Sequence, residues 1–591
     1  TALRALHAPE SAADLASARL RLAFDELLCL QLWARQRRRA RRGRPGPSLA
    51  AGRPSLEAFV EALPWPLTQA DPGQPSHFGQ AEALAEIVAD LEAAAPMSRL
   101  LQGDVGCGKT AVAGAAIAMA VGAGYQTALM APTEILAEQH FVSLGRMLEP
   151  LGYRVFDPAA ASDAAAAPDP AAASDSREAA PSRASGPAAG PRIARLVGSM
   201  RRADKLATAA AAAAGEIDLL VGTHAVIQDQ VGFARLGLAI VDEQHRFGVM
   251  QRAELPEKAD AKPSRIDPAS ESESESESAS AFASEFDSDS RPDSGVESSS
   301  DSSRLRGGGD AGEALPHQLV MTATPIPRTL ALAMHAELDQ TVIERMPPGR
   351  KPIQTRWIKP GDRPRAYAFI RARVEAGEQA YIVHPLVEES ESIDAPAAVD
   401  EHARLAAEVF PDFELGLLHG RMRPAEKEAT MAGFQSGRIQ VLVSTSVIEV
   451  GVDVPNATVM LIEGAERFGL AQLHQFRGRV GRGSAASLCL LVSEGRSKQA
   501  SLRLQKMVST SSGMELADFD LEQRGPGDFF GLRQSGDAER FRFARLGGSE
   551  ALVLAQRAAT LILERDPDLK SAELAALGAR VRDFSRAADR V

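Results

Sequence analysis

The sequence predicts an α/β chain: two parallel-sheet domains in tandem, preceded by one helical segment and followed by another. Three observations point to it. First, 591 residues exceed what a single hydrophobic core organises, so two to four domains are expected. Second, a short apolar run at 97–102 leads into Gly103-Asp104-Val105-Gly106-Cys107-Gly108-Lys109-Thr110, and an alanine-rich stretch at 111–120 follows. A strand, a glycine loop and a helix in that order belong to a parallel sheet. Third, strand-like and helix-like runs alternate again beyond residue 347, with candidate strands at 380–387, 415–418, 441–444, 459–462 and 488–492.

Composition narrows the class. Hydrophobic residues make up 45% of the chain, enough for several cores. Cys29, Cys107 and Cys489 stand far apart without metal-ligand spacing, so neither a disulfide framework nor a zinc site is expected, which suits a reducing cytoplasm. The long uncharged run after Lys109 is mostly Ala and Gly and adjoins the glycine loop, so no membrane span is expected. The net charge is −12, but residues 267–301 hold eleven acidic residues and one arginine, a local −10. The remainder is close to neutral, and a nucleic-acid channel needs only local Lys and Arg.

Taken in order, residues 11–42 place leucines at mixed three- and four-residue spacing ahead of Arg37, Arg38, Arg39, Arg41 and Arg42. This is a helix with a basic end, and that end is either a solvated tail or a phosphate contact. A Pro/Gly turn region at 43–54 leads to the first sheet domain. Gln80, at the head of a helix over 81–91, is a candidate for reading adenine, because an amide offers a donor and an acceptor together. Gln69 competes for that role, and residues 71–78 between them read as an insertion.

The glycine loop has the chemistry of a phosphate site. Gly103, Gly106 and Gly108 let backbone N–H groups close round a triphosphate, Lys109 reaches the β- and γ-phosphates, and the Thr110 hydroxyl holds Mg²⁺. Leu238-Ala-Ile-Val then delivers Asp242 and Glu243 to the end of a strand that borders this loop in a parallel sheet. Asp242 holds Mg²⁺, partly through water, and Glu243 activates the attacking water. Residues 157–191 and 256–313 are too poor in large apolar residues to fold and read as disordered insertions. In the second domain, the spacing Arg479-x-x-Arg482 beside glycines suits arginines that enter an ATP site from a facing domain. Which of the two is the main γ-phosphate contact stays open.

The motif order resembles a superfamily-two helicase motor, in which two RecA-like domains sandwich ATP. More narrowly, Gly103–Thr110, Asp242-Glu-Gln-His-Arg-Phe-Gly-Val249, Thr322-Ala-Thr-Pro-Ile-Pro-Arg328 and the block from Gly513 to Gly536 resemble the RecG family of branch-migration helicases. The last block is similar to a translocation motif shared with the transcription-repair coupling factor. The resemblance implies a division into 1–64, a helical segment linking to a wedge domain that the sequence does not contain; 65–346, the first motor domain; 347–508, the second; and 509–591, the translocation motif and C-terminal helices. It implies ATP and Mg²⁺ as cofactors, with Gly451 and Asp453 completing the nucleotide site. Gln244, His245, Thr322, Thr324, Arg524, Arg533 and Gln534 are then expected to couple hydrolysis to translocation. Pro132, Thr133, Thr223, His224, His419, Arg421 and Thr445 are expected to contact DNA.

The implied activity is ATP-dependent remodelling of branched double-stranded DNA (Holliday junctions, forks and R-loops) by a 3′–5′-type motor. The implied partners include a single-stranded DNA-binding protein, and the setting is a monomer in the bacterial cytoplasm, associated with the nucleoid. Two other readings compete. A coupling-factor-like translocase would displace RNA polymerase, but no polymerase-binding segment is visible. A small-molecule kinase would leave the second α/β domain unexplained.

Overall fold

The structure is a computed structural model. It describes residues 2–70, 78–159, 190–227, 231–243, 314–324, 338–347, 351–385, 394–449, 454–483, 485–495, 497–524 and 550–588.

Two helices, α1 (Ala2–His7) and α2 (Ala12–Arg42), come first, then α3 (Arg53–Ala62) and α4 (Gln80–Glu92) lead into the first sheet domain. Its strands are β1 (Ser98–Gly103), β2 (Gln126–Met130), β3 (Arg154–Val155), β4 (Arg192–Leu196), β5 (Leu219–Gly222), β6 (Leu236–Asp242), β7 (His317–Thr322) and β8 (Asp339–Ile343). Between them lie α5 (Lys109–Gly122), α6 (Glu134–Leu148) and α7 (Arg202–Ala213). The sheet order is β3-β4-β5-β2-β6-β7-β1-β8, and every pairing in it is parallel. Strands covered on both faces carry unbroken apolar runs instead of alternation. β6 is buried along its whole length. Helix α5 is sandwiched between sheet and helices, which explains its small side chains: a Cβ on Gly114 would stand 2.6 Å from the Phe59 ring of α3.

The second domain holds β9 (Gln354–Ile358), α8 (Arg363–Glu375), β10 (Gln379–Val383), α9 (Asp394–Arg404), β11 (Leu415–Leu418), α10 (Pro424–Gln435), β12 (Val441–Ser444), β13 (Ala457–Ile462), α11 (Leu470–Arg477) and β14 (Leu488–Val492). Its parallel sheet runs β11-β12-β10-β13-β14-β9. All five predicted strands are present, although β10, expected over 380–387, ends at Val383. The sequence reading does not name β3, β4, β8 and β9. β3, β8 and β9 lie at sheet edges and β4 next to one, where charged and polar residues such as Arg192, Arg195, Asp339 and Arg356 blur the apolar pattern.

The chain then adds α12 (Lys498–Ser509), α13 (Gly513–Arg524), α14 (Glu550–Arg565) and α15 (Ala575–Ala588). Helices α14 and α15 return to the beginning of the chain and bury Leu552, Ala555, Ala559 and Val581 against Leu27 and Leu32 of α2. Trp33 and Phe584 meet edge to face at 5.8 Å. The first and last helical segments therefore share one core, which no local pattern announces. The basic end of α2 is also resolved: Arg38 and Arg42 both pair with Asp339 on β8, the latter at 2.7 Å, and Arg37 lies over Trp33. For Arg38 and Arg42 the fold supplies the counter-charge, so these two pin α2 to the first sheet.

Candidate nucleotide site and motor interface

The glycine loop joins β1 to α5, and its shape depends on two left-handed residues. Gly106 has φ 80° and Gly108 has φ 91°, a region that costs other residues about 1–2 kcal/mol. A Cβ at 108 would also lie 1.9 Å from Gln80 Nε2. Gln80 is fully buried: Nε2 donates to the Cys107 carbonyl at 3.1 Å and Oε1 accepts the Thr68 N–H at 3.1 Å. One end of the amide thus braces the loop backbone, and the other ties it to the segment at Thr68. Gln69 enters through its carbonyl, which accepts from Arg345. Lys109 opens α5 and folds back, donating to the Gly103 carbonyl at 2.7 Å and the Asp104 carbonyl at 3.3 Å, while Thr110 follows it in the first turn of the helix.

Asp242 ends β6, which pairs with β7, and β7 in turn pairs with β1, so the acidic pair stands at the same carboxyl end of the sheet as the loop. Glu243 has φ 51°, one of two non-glycine residues with positive φ among the described residues. Strain of this kind is held in place by its surroundings and gathers at functional sites. Here the holding groups are visible: the Glu243 carboxylate accepts from the Ala323 N–H at 3.0 Å and the Thr322 hydroxyl at 3.3 Å, and Thr322 and Thr324 share a hydroxyl hydrogen bond of 2.6 Å. Asp242 Oδ1 accepts the Glu243 N–H at 3.1 Å, and Oδ2 lies 2.7 Å from His140 Nε2. Burial works to raise the Asp242 pKa, yet the His140 hydrogen bond and charge, together with Lys109 and the Glu243 N–H, hold it below the ordinary value.

The second domain touches the loop through α11. His474 Nε2 lies 3.2 Å from Asp104 Oδ1, and Asp104 Oδ2 accepts the N–H of Gly513, the first residue of α13, at 3.2 Å. On its other side His474 Nδ1 accepts from Arg477 at 2.8 Å, and Arg477 also donates to the carbonyls of Met507, Thr510 and Ser511. A Cβ on Gly478 would come within 2.8 Å of Val105, so loop and helix end are in close contact. Arg479 follows directly, and Arg482 Nε donates to the Gly478 carbonyl at 3.2 Å. Burial opposes ionisation of Asp104, but His474, the Gly513 N–H and Lys109 lower its pKa overall. Asp104 and His474 are not among the residues the sequence singles out. Their signals are present in it: an acidic residue inside the glycine loop, and a histidine one turn ahead of Arg477.

The expected DNA contacts collect at the carboxyl ends of the strands in both domains. Pro132 and Thr133 form the β2–α6 turn, where Thr133 caps α6 by accepting from the Leu136 N–H. Thr223 follows β5 and Thr445 follows β12, and their N–H groups bond to equivalent carbonyls, Leu196 and Leu418. His224 lies beyond Thr223, while His419 and Arg421 follow β11. Burial, then the charges of Lys427 and Arg421, lower the His419 pKa.

An internal repeat underlies this symmetry: Leu196-Val-Gly-Ser-Met-Arg-Arg-Ala-Asp-Lys205 matches Leu418-His-Gly-Arg-Met-Arg-Pro-Ala-Glu-Lys427. Lys205 donates to the Gly198 carbonyl at 2.5 Å and Lys427 to the Gly420 carbonyl at 2.8 Å. Val197 N–H and His419 N–H each meet a methionine sulfur at 3.4 Å. Ser199 and Arg201 therefore occupy the places of Arg421 and Arg423. The sequence reading misses them, although the repeat alone could reveal them. Gln244, His245, Gly451, Asp453, Arg533, Gln534 and the Arg524 side chain lie outside the described residues, as do residues 256–313 and most of 157–191.

Among the described residues no cluster of three or more His, Cys, Asp and Glu is placed to hold a metal, and no helix is long and apolar enough to cross a membrane. A cavity of about 520 Å³ lies between the loop and α11, reaching Asp104, Val105, His474 and Met514. A larger one, about 1080 Å³, separates α6 from α10 and includes none of the loop residues.

Three family descriptions match the chain: DEAD/DEAH box helicase over residues 79–170, helicase conserved C-terminal domain over 365–484, and ATP-dependent DNA helicase RecG, domain 3, C-terminal, over 510–589. The chain is 41% identical over 572 residues to the ATP-dependent DNA helicase RecG of Synechocystis, covering 97% of this chain and 57% of that protein. It is 39% identical over 578 residues to that of Bacillus subtilis, covering 98% of this chain and 70% of that protein. Among solved structures, RecG bound to a three-way DNA junction superimposes with a TM-score of 0.65 at 34% identity, over 94% of this chain and 59% of the other.

Proposed function

Because the chain belongs to the RecG family of ATP-dependent DNA helicases, we propose that it is an ATP-driven translocase on double-stranded DNA that remodels Holliday junctions, stalled forks and R-loops. The observation that supports this most is the meeting at Asp104 of the phosphate loop, His474 of the second motor domain and Gly513, where the RecG-type C-terminal segment begins. ATP chemistry and the segment that follows the motor are joined at one side chain. The RecG-type match over 510–589 also favours this reading over a translocase that displaces RNA polymerase.

In the proposed cycle, the N–H groups of the loop and of the α5 N-terminus surround the phosphates, and Lys109 leaves the Gly103 and Asp104 carbonyls to meet them. The Thr110 hydroxyl and the Asp242 carboxylate fit Mg²⁺, a hard cation that takes few protein ligands beside phosphate oxygens and water. When bound, it neutralises charge on the β- and γ-phosphates. Glu243, aimed by Thr322 and Ala323, takes the proton of the attacking water. Arg479 and Arg482 bring fixed positive charge to the γ-phosphate when the domains close, and Gly451 and Asp453 complete the nucleotide pocket. Thr322 and Thr324, with Gln244 and His245, pass the state of Glu243 to the DNA side. Arg524, Arg533 and Gln534 pass domain closure to the segment beyond. Closure and reopening then shift the turns at Pro132–Thr133, Ser199 and Thr223–His224 relative to those at His419–Arg421 and Thr445, and so advance the duplex.

The protein acts as a monomer in the bacterial cytoplasm, at the nucleoid, with a single-stranded DNA-binding protein as a further partner. The test is ATP hydrolysis measured without DNA, with linear duplex and with a four-way junction. Stimulation by the junction well above that by linear duplex is expected. Equal stimulation would remove the branched-DNA specificity, and no stimulation by either would remove the motor reading.

A further inference from the structure

One buried ionisable side chain at the site has no part in the cycle above. His140, on the second turn of α6, is 8% exposed, and its Nε2 lies 2.7 Å from Asp242 Oδ2. Asp242 Oδ1 meanwhile takes the Glu243 N–H, so the carboxylate is held from both sides. The terminal torsion of an aspartate is broad and roughly two-fold, and one N–H alone leaves it free to swing. A second donor on the opposite oxygen fixes the plane. Neighbours that orient a metal-binding group in this way change metal affinity without touching the ion.

The helix that carries His140 adds a second observation. At its N-terminus Thr133 provides the cap, Glu134 Oε1 accepts the Ser199 N–H at 2.9 Å, and Ile135 packs against the core of the second domain. One rigid element therefore touches the repeated turn, the facing domain and, about 10 Å further along its axis, the Asp242 carboxylate.

We propose that His140 is a positioning residue that sets the Asp242 carboxylate for Mg²⁺, and that α6 makes this setting depend on contacts at its N-terminal end, where DNA and the second domain meet it. The inference rests on the proposed function in taking Asp242 as the metal-binding carboxylate. It concerns a side chain to which the proposed cycle gives no contact with nucleotide or DNA.

Glutamine and asparagine substitutions separate positioning from packing. The amide nitrogen of a glutamine side chain reaches the place of the histidine Nε2, whereas that of the shorter asparagine falls short of it. The His140→Gln variant should keep parental behaviour, while His140→Asn and His140→Ala should not. The readout is Mn²⁺ binding followed by electron paramagnetic resonance in the presence of a non-hydrolysable ATP analogue. His140→Asn and His140→Ala should raise the half-saturating Mn²⁺ concentration by about tenfold or more. Binding of a fluorescent ATP analogue without metal, and the melting temperature, should change little. At saturating metal the fold-stimulation of ATPase by DNA should also fall in His140→Asn and persist in His140→Gln. If His140→Ala does not fold, the Gln and Asn pair decides the matter. Parental Mn²⁺ affinity in His140→Asn, with the parent binding metal and nucleotide normally, overturns the positioning role and leaves the proposed function standing. A parent that binds no metal–nucleotide complex overturns both.

Discussion

His474→Ala breaks the contact between the phosphate loop and the second domain at its centre. His474 is 5% exposed; the change removes its 3.2 Å approach to Asp104 and the acceptor that Arg477 meets at 2.8 Å. Asp104 keeps the Gly513 N–H, and Arg477 keeps three carbonyls, so neither charge is left without a partner. Hydrogen bonds to charged groups are each worth about 1.5–3 kcal/mol, and the partners that remain offset part of the loss. Only the Asp104 contact crosses between the domains, so a penalty of about 2 kcal/mol on the arrangement that holds it follows, or roughly a thirtyfold shift toward the open one. The assay is single-molecule energy transfer between dyes on the two motor domains, with a non-hydrolysable ATP analogue and junction DNA, alongside the DNA displaced per ATP hydrolysed. The closed population and the displacement per ATP should both fall, while nucleotide affinity changes less. A parental closed population together with parental displacement per ATP would show that this contact does not couple the domains.

Three further outcomes are expected. Lys109→Ala should abolish most ATP turnover with little change in melting temperature, because its amine meets only two loop carbonyls; comparable turnover would refute the phosphate site. Deleting residues 260–310 should leave melting temperature and ATPase nearly unchanged, since so few large apolar residues bury little surface; a fall of more than a few degrees would show that the segment packs or binds. Asp339→Ala removes the shared partner of Arg38 and Arg42 and should cost about 1 kcal/mol, discounted for the exposure of Arg42; unchanged stability in thermal unfolding would show that apolar contacts alone hold α2.

The legible parts of this chain are those in which chemistry is local. The phosphate loop, the strand that ends in Asp242 and the five predicted strands of the second sheet each lie within a short window, and a parallel sheet buried on both faces writes them as apolar runs. Edge strands such as β9 carry polar residues and escape that pattern. Long-range pairings are also hidden: nothing near Leu27 indicates Leu552, and nothing near Asp104 indicates His474 or Gly513. Gln80 shows what residue type alone leaves out: besides suiting a base, its amide nitrogen donates to the Cys107 carbonyl beneath Gly108. The repeat that places Ser199 opposite Arg421 is readable from sequence but needs comparison across the two domains.

In the proposed function, ATP hydrolysis at Lys109, Asp242 and Glu243 drives the remodelling of branched DNA. This coupling is tested most directly by following release of a labelled strand from a synthetic four-way junction and phosphate release in the same reaction, for the parent and for Glu243→Gln. An amide accepts no proton from the attacking water, so the variant should bind ATP and junction yet lose most phosphate release and most strand release together. The parent should release the strand only when ATP is hydrolysed. Parental phosphate release by the variant, or strand release by the parent without ATP hydrolysis, would contradict this coupling.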